Sequence, residues 1–409
     1  MTTMPLSAPL DILSSDFQSD PYPYYDYLRK ESPVHYVPDL DVYLLSRYQD
    51  VRAALRDRRF TTAPLATRAE PVMRGVVLAQ MEGSEHAAKH RLVVRGLTNP
   101  DALRRHAEIV DHTARDLLTP HLASGRIDLV NDFGKDFAVL VTLQVLGLPT
   151  DDYKQIAEWH AGVADFITSI TFDDERYNYD LDCSARLADV ITPVVESRKN
   201  SPRSDLISAL CVPDIDGVVM TTTEILALCL NVLAAATEPA DKTLGMLFRH
   251  LLSNPDQFAL VRDDHSYIQA AIAETLRLTP PVQIIPRQLD TAVTVEEDTT
   301  IPAESVVFMM IGAANRDPAA FENPDRFDLR RADLSADRSF TAAAQHMAFG
   351  TGIHACVGAA FARDEIATAA GIVLDLLPDL ALAEPDNYQE MGLYTRGPKS
   401  LNLDFTPAR

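Results

Sequence analysis

Cysteine is scarce in this chain: four in 409 residues, Cys183, Cys211, Cys229 and Cys356, all far apart. So dispersed a set does not read as a disulfide framework, and the close cysteine pairs usual in structural zinc sites are missing. A reducing cytoplasm is the expected compartment. Positive charge is short as well, with 37 Lys and Arg against 59 Asp and Glu and a formal net charge of -22. Phosphate contacts need a basic face, so this balance argues against nucleic acid and for a soluble acidic protein. There is no Gly/Ser linker, low-complexity tract or internal repeat, and a single domain over residues 1–409 is the simplest organisation. Residues 1–16 lack the basic start and apolar run of a signal peptide, and no apolar run reaches the length of a membrane span, so no membrane contact is expected.

What the chain does have is a crowded decapeptide, Phe349-Gly350-Thr351-Gly352-Ile353-His354-Ala355-Cys356-Val357-Gly358. Gly350 and Gly352 can take positive φ and leave no Cβ in the way, so the backbone can bulge beside Cys356. The helix-forming run from Ala359 to Ile366 follows, and its positive end favours thiolate over thiol. A sulfur so prepared is a metal ligand or a nucleophile, and a ligand reading suits the open space the glycines leave. A glycine-rich turn with a structural cysteine, or zinc held by His346, His354 and Cys356, are the weaker alternatives.

Along the chain, helical periodicity runs over Tyr24–Glu31 and Tyr48–Arg56, with strand-like runs at Val34–Val37 and Val42–Ser46 between them. Thr61–Met81 reads as a long loop. Ser84 is a candidate cap for a helix carrying His86 and His90 on one face, four apart. Asp101–Ala123, Asp136–Leu146 and Tyr153–Thr168 read as amphipathic helices, Asp173–Asp182 as a polar break, then Leu181–Lys199 and Leu206–Cys211 as helices. Thr221 and Glu224 form a capping box for a long apolar helix from Ile225 to Leu244. Within it, Ala234-Ala235-Ala236-Thr237-Glu238-Pro239 stands out, because Pro239 has no N–H for the Ala235 carbonyl and frees an acceptor beside three small side chains. Tyr267–Leu278 is a helix with Glu274 and Arg277 on one face. Strands are expected at Ala292–Val295, Thr300–Ile301 and Val306–Met310, after an extended, proline-rich segment from Thr279 to Arg287.

The decapeptide resembles the haem-binding loop of the cytochrome P450 family, and the other motifs follow in that family's order. The resemblance implies a mainly α fold with a smaller β lobe, a helical prism around a buried haem b with Cys356 as the iron ligand. It implies cofactor contacts from Phe349, Gly350, His354, Gly358, His86, His90 (standing where the family usually has Arg, with Arg91 a possible substitute) and Arg287. Substrate-pocket candidates are Val72, Met73, Val76, Val77, Phe166, Ile167, Ile170, Asn231, Ala234, Val282, Gln283, Ile284, Leu393 and Tyr394. Glu274, Arg277 and Arg326 correspond to a buried structural ion network. The family's oxygen-activating helix carries an acid followed by threonine; here Glu238 keeps the acid and Pro239 replaces the threonine. Proton delivery is then expected to use water on the Ala235 carbonyl, with Glu238 or Thr237.

The implied activity is a monooxygenase that uses O2 on a mid-sized hydrophobic substrate by hydroxylation, epoxidation or oxidative dealkylation. The chain has no flavin or iron–sulfur motif, so ferredoxin and ferredoxin reductase are the expected electron donors. Lys89, Arg91, Arg95 and Arg363 are a candidate basic docking island for them. A peroxide-using peroxygenase and a non-catalytic haem sensor are the alternatives.

Overall fold

The computed structural model describes residues 10–169, 173–295 and 299–408, and its helices outnumber its short strands. Two compact units are interleaved along the chain, each built from three segments. The first comprises residues 1–64, 245–356 and 384–401; the second comprises 65–244, 357–383 and 402–409.

In the first unit, Tyr22–Glu31 and Tyr48–Ala54 are helices around the hairpin of Val34–Val37 with Val42–Leu45. Val42–Leu45 pairs in parallel with Val306–Met310, which pairs antiparallel with Ile284–Leu289, and Phe60–Thr61 closes the five-stranded sheet. β-Branched and large apolar residues dominate these strands, as a buried sheet requires. Leu45, Val51, Val307, Met309 and Phe321 form the core beneath it.

In the second unit the core is helical. Leu187, Ile191 and Val195, four apart on the helix Asp174–Asn200, are fully buried together with Val139, Leu143 and Leu146 of Lys135–Leu146. That spacing is the stripe an amphipathic helix turns toward its neighbours. Helix Gly83–Thr98 adds Leu92 and Val93, and Tyr153–Thr168 adds Ile156, Val163 and Phe166. A small sheet, Arg126–Asp128 with Asn402–Asp404 and Ala381–Leu382, completes the unit.

The longest helix is Thr222–Ser253. Its start is the anticipated capping box: Glu224 N–H donates to Thr221 Oγ1 at 3.3 Å and Thr221 N–H donates to Glu224 Oε2 at 2.8 Å. Contrary to the sequence reading, this helix is long and apolar enough to cross a membrane by length and composition. Ile225, Leu228, Leu230 and Leu233 are nevertheless spent on the second unit's core.

Other expectations shift too. Thr61–Met81 is not one loop: it contains short helices at Pro64–Arg68 and Glu70–Met73 and a 3₁₀ turn at Leu78–Gln80. The helix with His86 begins at Gly83 after Glu82, without a side-chain cap from Ser84. The polar stretch from Asp173 is not a break, because Asp173 accepts from Arg176 N–H at 2.8 Å and starts the helix Asp174–Asn200.

Candidate active site

In the first unit the cysteine loop is bulged as its glycines suggest. Gly350 and Gly352 have φ of 66° and 81°, and Cys356 N–H donates to Phe349 O at 2.9 Å. A Cβ on Gly352 would meet Leu55 O at 2.8 Å, so glycine is required there. Cys356 itself is exposed, His354 ends the 3₁₀ turn Gly352–His354, and Arg56 Nε donates to Thr351 Oγ1 at 3.1 Å. Among the described residues no three His, Cys, Asp or Glu side chains converge as a metal-binding group, so His346, His354 and Cys356 do not assemble a zinc site. His346 is buried, its pKa pushed down to about 3 by burial, and its Nδ1 accepts from Ala348 N–H at 3.3 Å. An exposed cysteine on a glycine bulge is a donor set of one thiolate, which fits an iron whose other ligands would come from a macrocycle.

The same unit holds the ion network. Arg277 donates two parallel bonds to Glu274, at 2.8 and 2.9 Å, and both side chains are buried. The third member is Arg331, not Arg326: Arg331 Nε donates to Glu274 Oε1 at 2.7 Å. The Arg326 side chain is 66% exposed, 4.0 Å from Asp328, and only its carbonyl takes part, accepting from Arg277 and Arg331. The turn at Asn323, with φ of 45°, carries the chain round so that the later arginine points inward.

Burial corrects two pocket assignments. Gln283 is buried, accepting from Tyr25 OH at 3.0 Å and donating to Pro280 O at 2.6 Å, so it is a packing residue. Ile284 is likewise fully buried in its strand. Ile285, on the opposite strand face, is half-buried, and its Cδ1 lies 3.9 Å from where a Gly350 Cβ would stand. The bridge between Val282 and Thr395 brings half-buried Val282 together with Leu393 and Tyr394, whose carbonyl accepts from Gln283 N–H at 2.8 Å. Arg287 is buried and donates to Pro286 O at 2.8 Å.

In the second unit His86 and His90 lie side by side, ring centroids 5.4 Å apart and both half-buried. Burial and the neighbouring His86 push the His90 pKa down. Arg91 does not join them, being paired with Asp214 and Asp216. The residues of the expected basic island are engaged: Lys89 is buried against Glu85 and Glu224, Arg363 pairs with Asp364, and Arg95 donates to the carbonyls of Ala209, Val212 and Pro213.

Helix Thr222–Ser253 is buried along Ala227–Leu230, yet Ala235 is exposed and Asn231, Ala234, Ala236, Glu238 and Pro239 are half-buried. An accessible small-residue stripe in a core helix is a cradle that larger side chains would fill. Glu238 pairs with Lys242. Thr237 is turned the other way: its hydroxyl donates to Leu233 O at 2.7 Å and accepts from His160 Nε2 at 2.7 Å. Burial lowers the His160 pKa to about 4, so the ring is neutral. Among the other pocket candidates, Val72, Met73, Val77 and Phe166 are buried in the second unit's core, the Phe166 ring tilted against Tyr177 with centroids 5.3 Å apart, while Val76 is exposed. Ile167 is half-buried against the same core, and Ile170 lies outside the described residues.

Sequence reasoning missed Arg331, Ile285, His160 and Asp241. Arg331 and Ile285 each stand within a few positions of the residue chosen instead. His160 follows Ile156 at helical spacing, and Asp241 follows Glu238 by three on a nearly apolar helix.

These features define a haem-thiolate enzyme, and the family comparison agrees: the Cytochrome P450 family model matches residues 18–377. The chain belongs to the cytochrome P450 family, so it is an oxidoreductase of the monooxygenase type, with a haem-thiolate iron and O2 as co-substrate. It is 53% identical over 398 residues to pulcherriminic acid synthase of Bacillus subtilis, covering 97% of this chain and 98% of that protein. It is 32% identical to cytochrome P450 monooxygenase PikC of Streptomyces venezuelae, covering 93% of this chain and 89% of the relative. The crystal structure of CalO2 superposes with a TM-score of 0.86 at 29% identity, covering 97% and 99% of the two chains. The mainly helical architecture with small sheets is the P450 fold.

Proposed function

We propose that this protein is a haem b monooxygenase of secondary metabolism that forms pulcherriminic acid or a close chemical relative. Its electrons come from a ferredoxin and ferredoxin reductase in the cytoplasm. The observation that carries the catalytic reading is the exposed Cys356 on its glycine bulge. The likeness to pulcherriminic acid synthase over nearly the whole of both chains supports the product.

Cys356 would hold the iron as thiolate, His86, His90 and Arg287 would bind the propionates, and Phe349, Gly350, His354 and Gly358 would line the group. The haem, when bound, supplies the iron at which O2 is activated and one oxygen atom passes to the substrate. The chain's own work is to position and to move protons. Ala234 and Ala235 leave room beside the helix, Asn231 offers a hydrogen bond to a polar substrate group, and Val282, Leu393 and Tyr394 present an apolar wall. Glu238 passes protons, and Lys242 is ion-paired to it.

Two measurements test this in sequence. The dithionite-reduced protein under carbon monoxide should show a strongly red-shifted Soret band that Cys356→Ser abolishes; an unchanged band would move the iron ligand elsewhere. The gene should then restore pulcherriminic acid, measured by mass spectrometry, to Bacillus subtilis lacking its own synthase. A protein with the band and no product in that strain would refute the product while leaving the enzyme class intact. Turnover with peroxide alone, without ferredoxin, would instead establish the peroxygenase alternative.

A further inference from the structure

One turn beyond Glu238 the long helix carries a second carboxylic acid, Asp241, in a stretch where packing alone asks for an apolar residue. Asp241 is 9% exposed, and its Oδ1 has no hydrogen-bond partner among the described residues. The carboxyl sits against Gly134, the last residue of the π-turn Leu129–Gly134, where a Cβ would stand 2.7 Å from Oδ1. The missing side chain at 134 is therefore the space the carboxyl occupies. Wider π-turns recur where a backbone is shaped for function rather than for regular packing.

The charged groups acting on Asp241 are Lys135 and Lys242, which favour its ionised form, and Glu238 and Asp128, which oppose it. Burial outweighs all four and raises its pKa to about 7. A buried carboxyl without a partner is costly as an anion and tolerable as an acid. Glu238 and Asp241, three apart on a helix, are surface neighbours on it. The Glu238 carboxylate opposes ionisation of Asp241. Lys242 is ion-paired to Glu238 and also acts on Asp241. When Glu238 takes up a proton, its negative charge no longer opposes ionisation of Asp241, while the field of Lys242 remains.

We propose that Asp241 is the proton store behind Glu238, refilling it during turnover and replacing the relay that a threonine at position 239 would give. This rests on reading Glu238 as the residue that passes protons to the reacting oxygen. In each refill the O–H bond of Asp241 breaks, an O–H bond forms on the Glu238 carboxylate, and Asp241 recovers its proton from solvent water. No electrons move. Asp241 acts only through Glu238 and touches no reacting atom.

The test compares haem-loaded wild type, D241N, E238Q and G134A, with a surrogate ferredoxin and reductase. It follows NADPH consumption and peroxide release from about pH 6 to about 8.5. In D241N the rate should fall about tenfold, the size of a lost proton-transfer step, and its dependence on pH near neutrality should flatten. G134A, which displaces the carboxyl, should show the same flattening. Infrared difference spectra give the independent readout: wild type should show a protonated-carboxyl band that fades with a midpoint near neutrality and is missing in D241N. Wild-type rate and pH profile in D241N, with E238Q impaired, would overturn the store while sparing Glu238. Unimpaired turnover in both would overturn the reading of Glu238 as well. If D241N does not fold, the wild-type infrared titration decides, and the lack of a carboxyl band titrating near neutrality overturns the proposal.

Discussion

In the first unit Glu274 is surrounded by donors: two from Arg277, one from Arg331 and the Asp328 N–H at 3.0 Å. In the second unit Asp241 is also buried but leaves Oδ1 without a partner, and on the helix Ala359–Leu376 buried Glu365 leaves its Oε1 so. The first carboxylate is held by guanidiniums whose other N–H groups bond carbonyls. The other two are pushed up, to about 7 and about 8, because burial outweighs the nearby lysines at Asp241 and acts alone at Glu365. Saturated charge builds a scaffold, and unsaturated charge titrates. The two units place these opposite solutions on opposite tasks: one supports the segment that leads to the cysteine loop, the other stands beside the acid that handles protons.

The sharpest way to break the scaffold half of this comparison is Glu274→Gln, which leaves two buried guanidiniums without their counter-ion. Chemical unfolding should show a loss of about 3–5 kcal/mol. An effect below about 1 kcal/mol would mean that the carbonyls alone suffice.

For the titrating half, the signs of the pH dependence are fixed by the direction of each shift. Asp241 has a folded pKa of about 7, above its ordinary 3.8, so its contribution is full below about pH 4 and is lost as pH rises to about 7. Asp241→Asn should therefore be more stable than the parent at about pH 8, by about 2–4 kcal/mol, with no difference near pH 4. His160 runs the other way: its pKa is lowered to about 4 from 6.5, so stability falls as pH drops through that interval. Thr237→Val removes the hydroxyl that faces His160 and should cost about 1–3 kcal/mol at neutral pH, read from the same unfolding curves. Arg326→Ala, whose side chain is solvent-exposed, should change stability by no more than about 0.5 kcal/mol. A large loss there would restore Arg326 to the network in place of Arg331.

Much of the architecture was legible because periodicity reports burial directly. The helix Tyr153–Thr168 and the strand Val34–Val37 have the boundaries that spacing alone assigns, and the capping box at Thr221 and Glu224 is present atom for atom. Legibility failed where a choice between near neighbours depends on a turn or on strand parity. Arg326 and Arg331 are equivalent as residue types, and only the backbone between them decides which side chain turns inward. Gln283 and Ile284 were assigned to a pocket together with Val282, but both are buried while Val282 and Ile285 stay half-buried, a difference set by partners distant in sequence such as Tyr25 and Met310. The basic residues chosen for docking were read as free cations, whereas their acidic partners, such as Asp214 and Glu224, are brought in by folding.

The interleaving of the units has a consequence for how this protein is born. Strand Asn402–Asp404 pairs with Arg126–Asp128, and Leu403 faces Ile127. More than two hundred residues are made after Arg126–Asp128 before its partner strand exists. Through that interval the sheet of the second unit is incomplete and the backbone edge beside Ile127 is open to association. The seam closes late, so the growing chain has to be kept from pairing elsewhere while the stretch between the two strands is made.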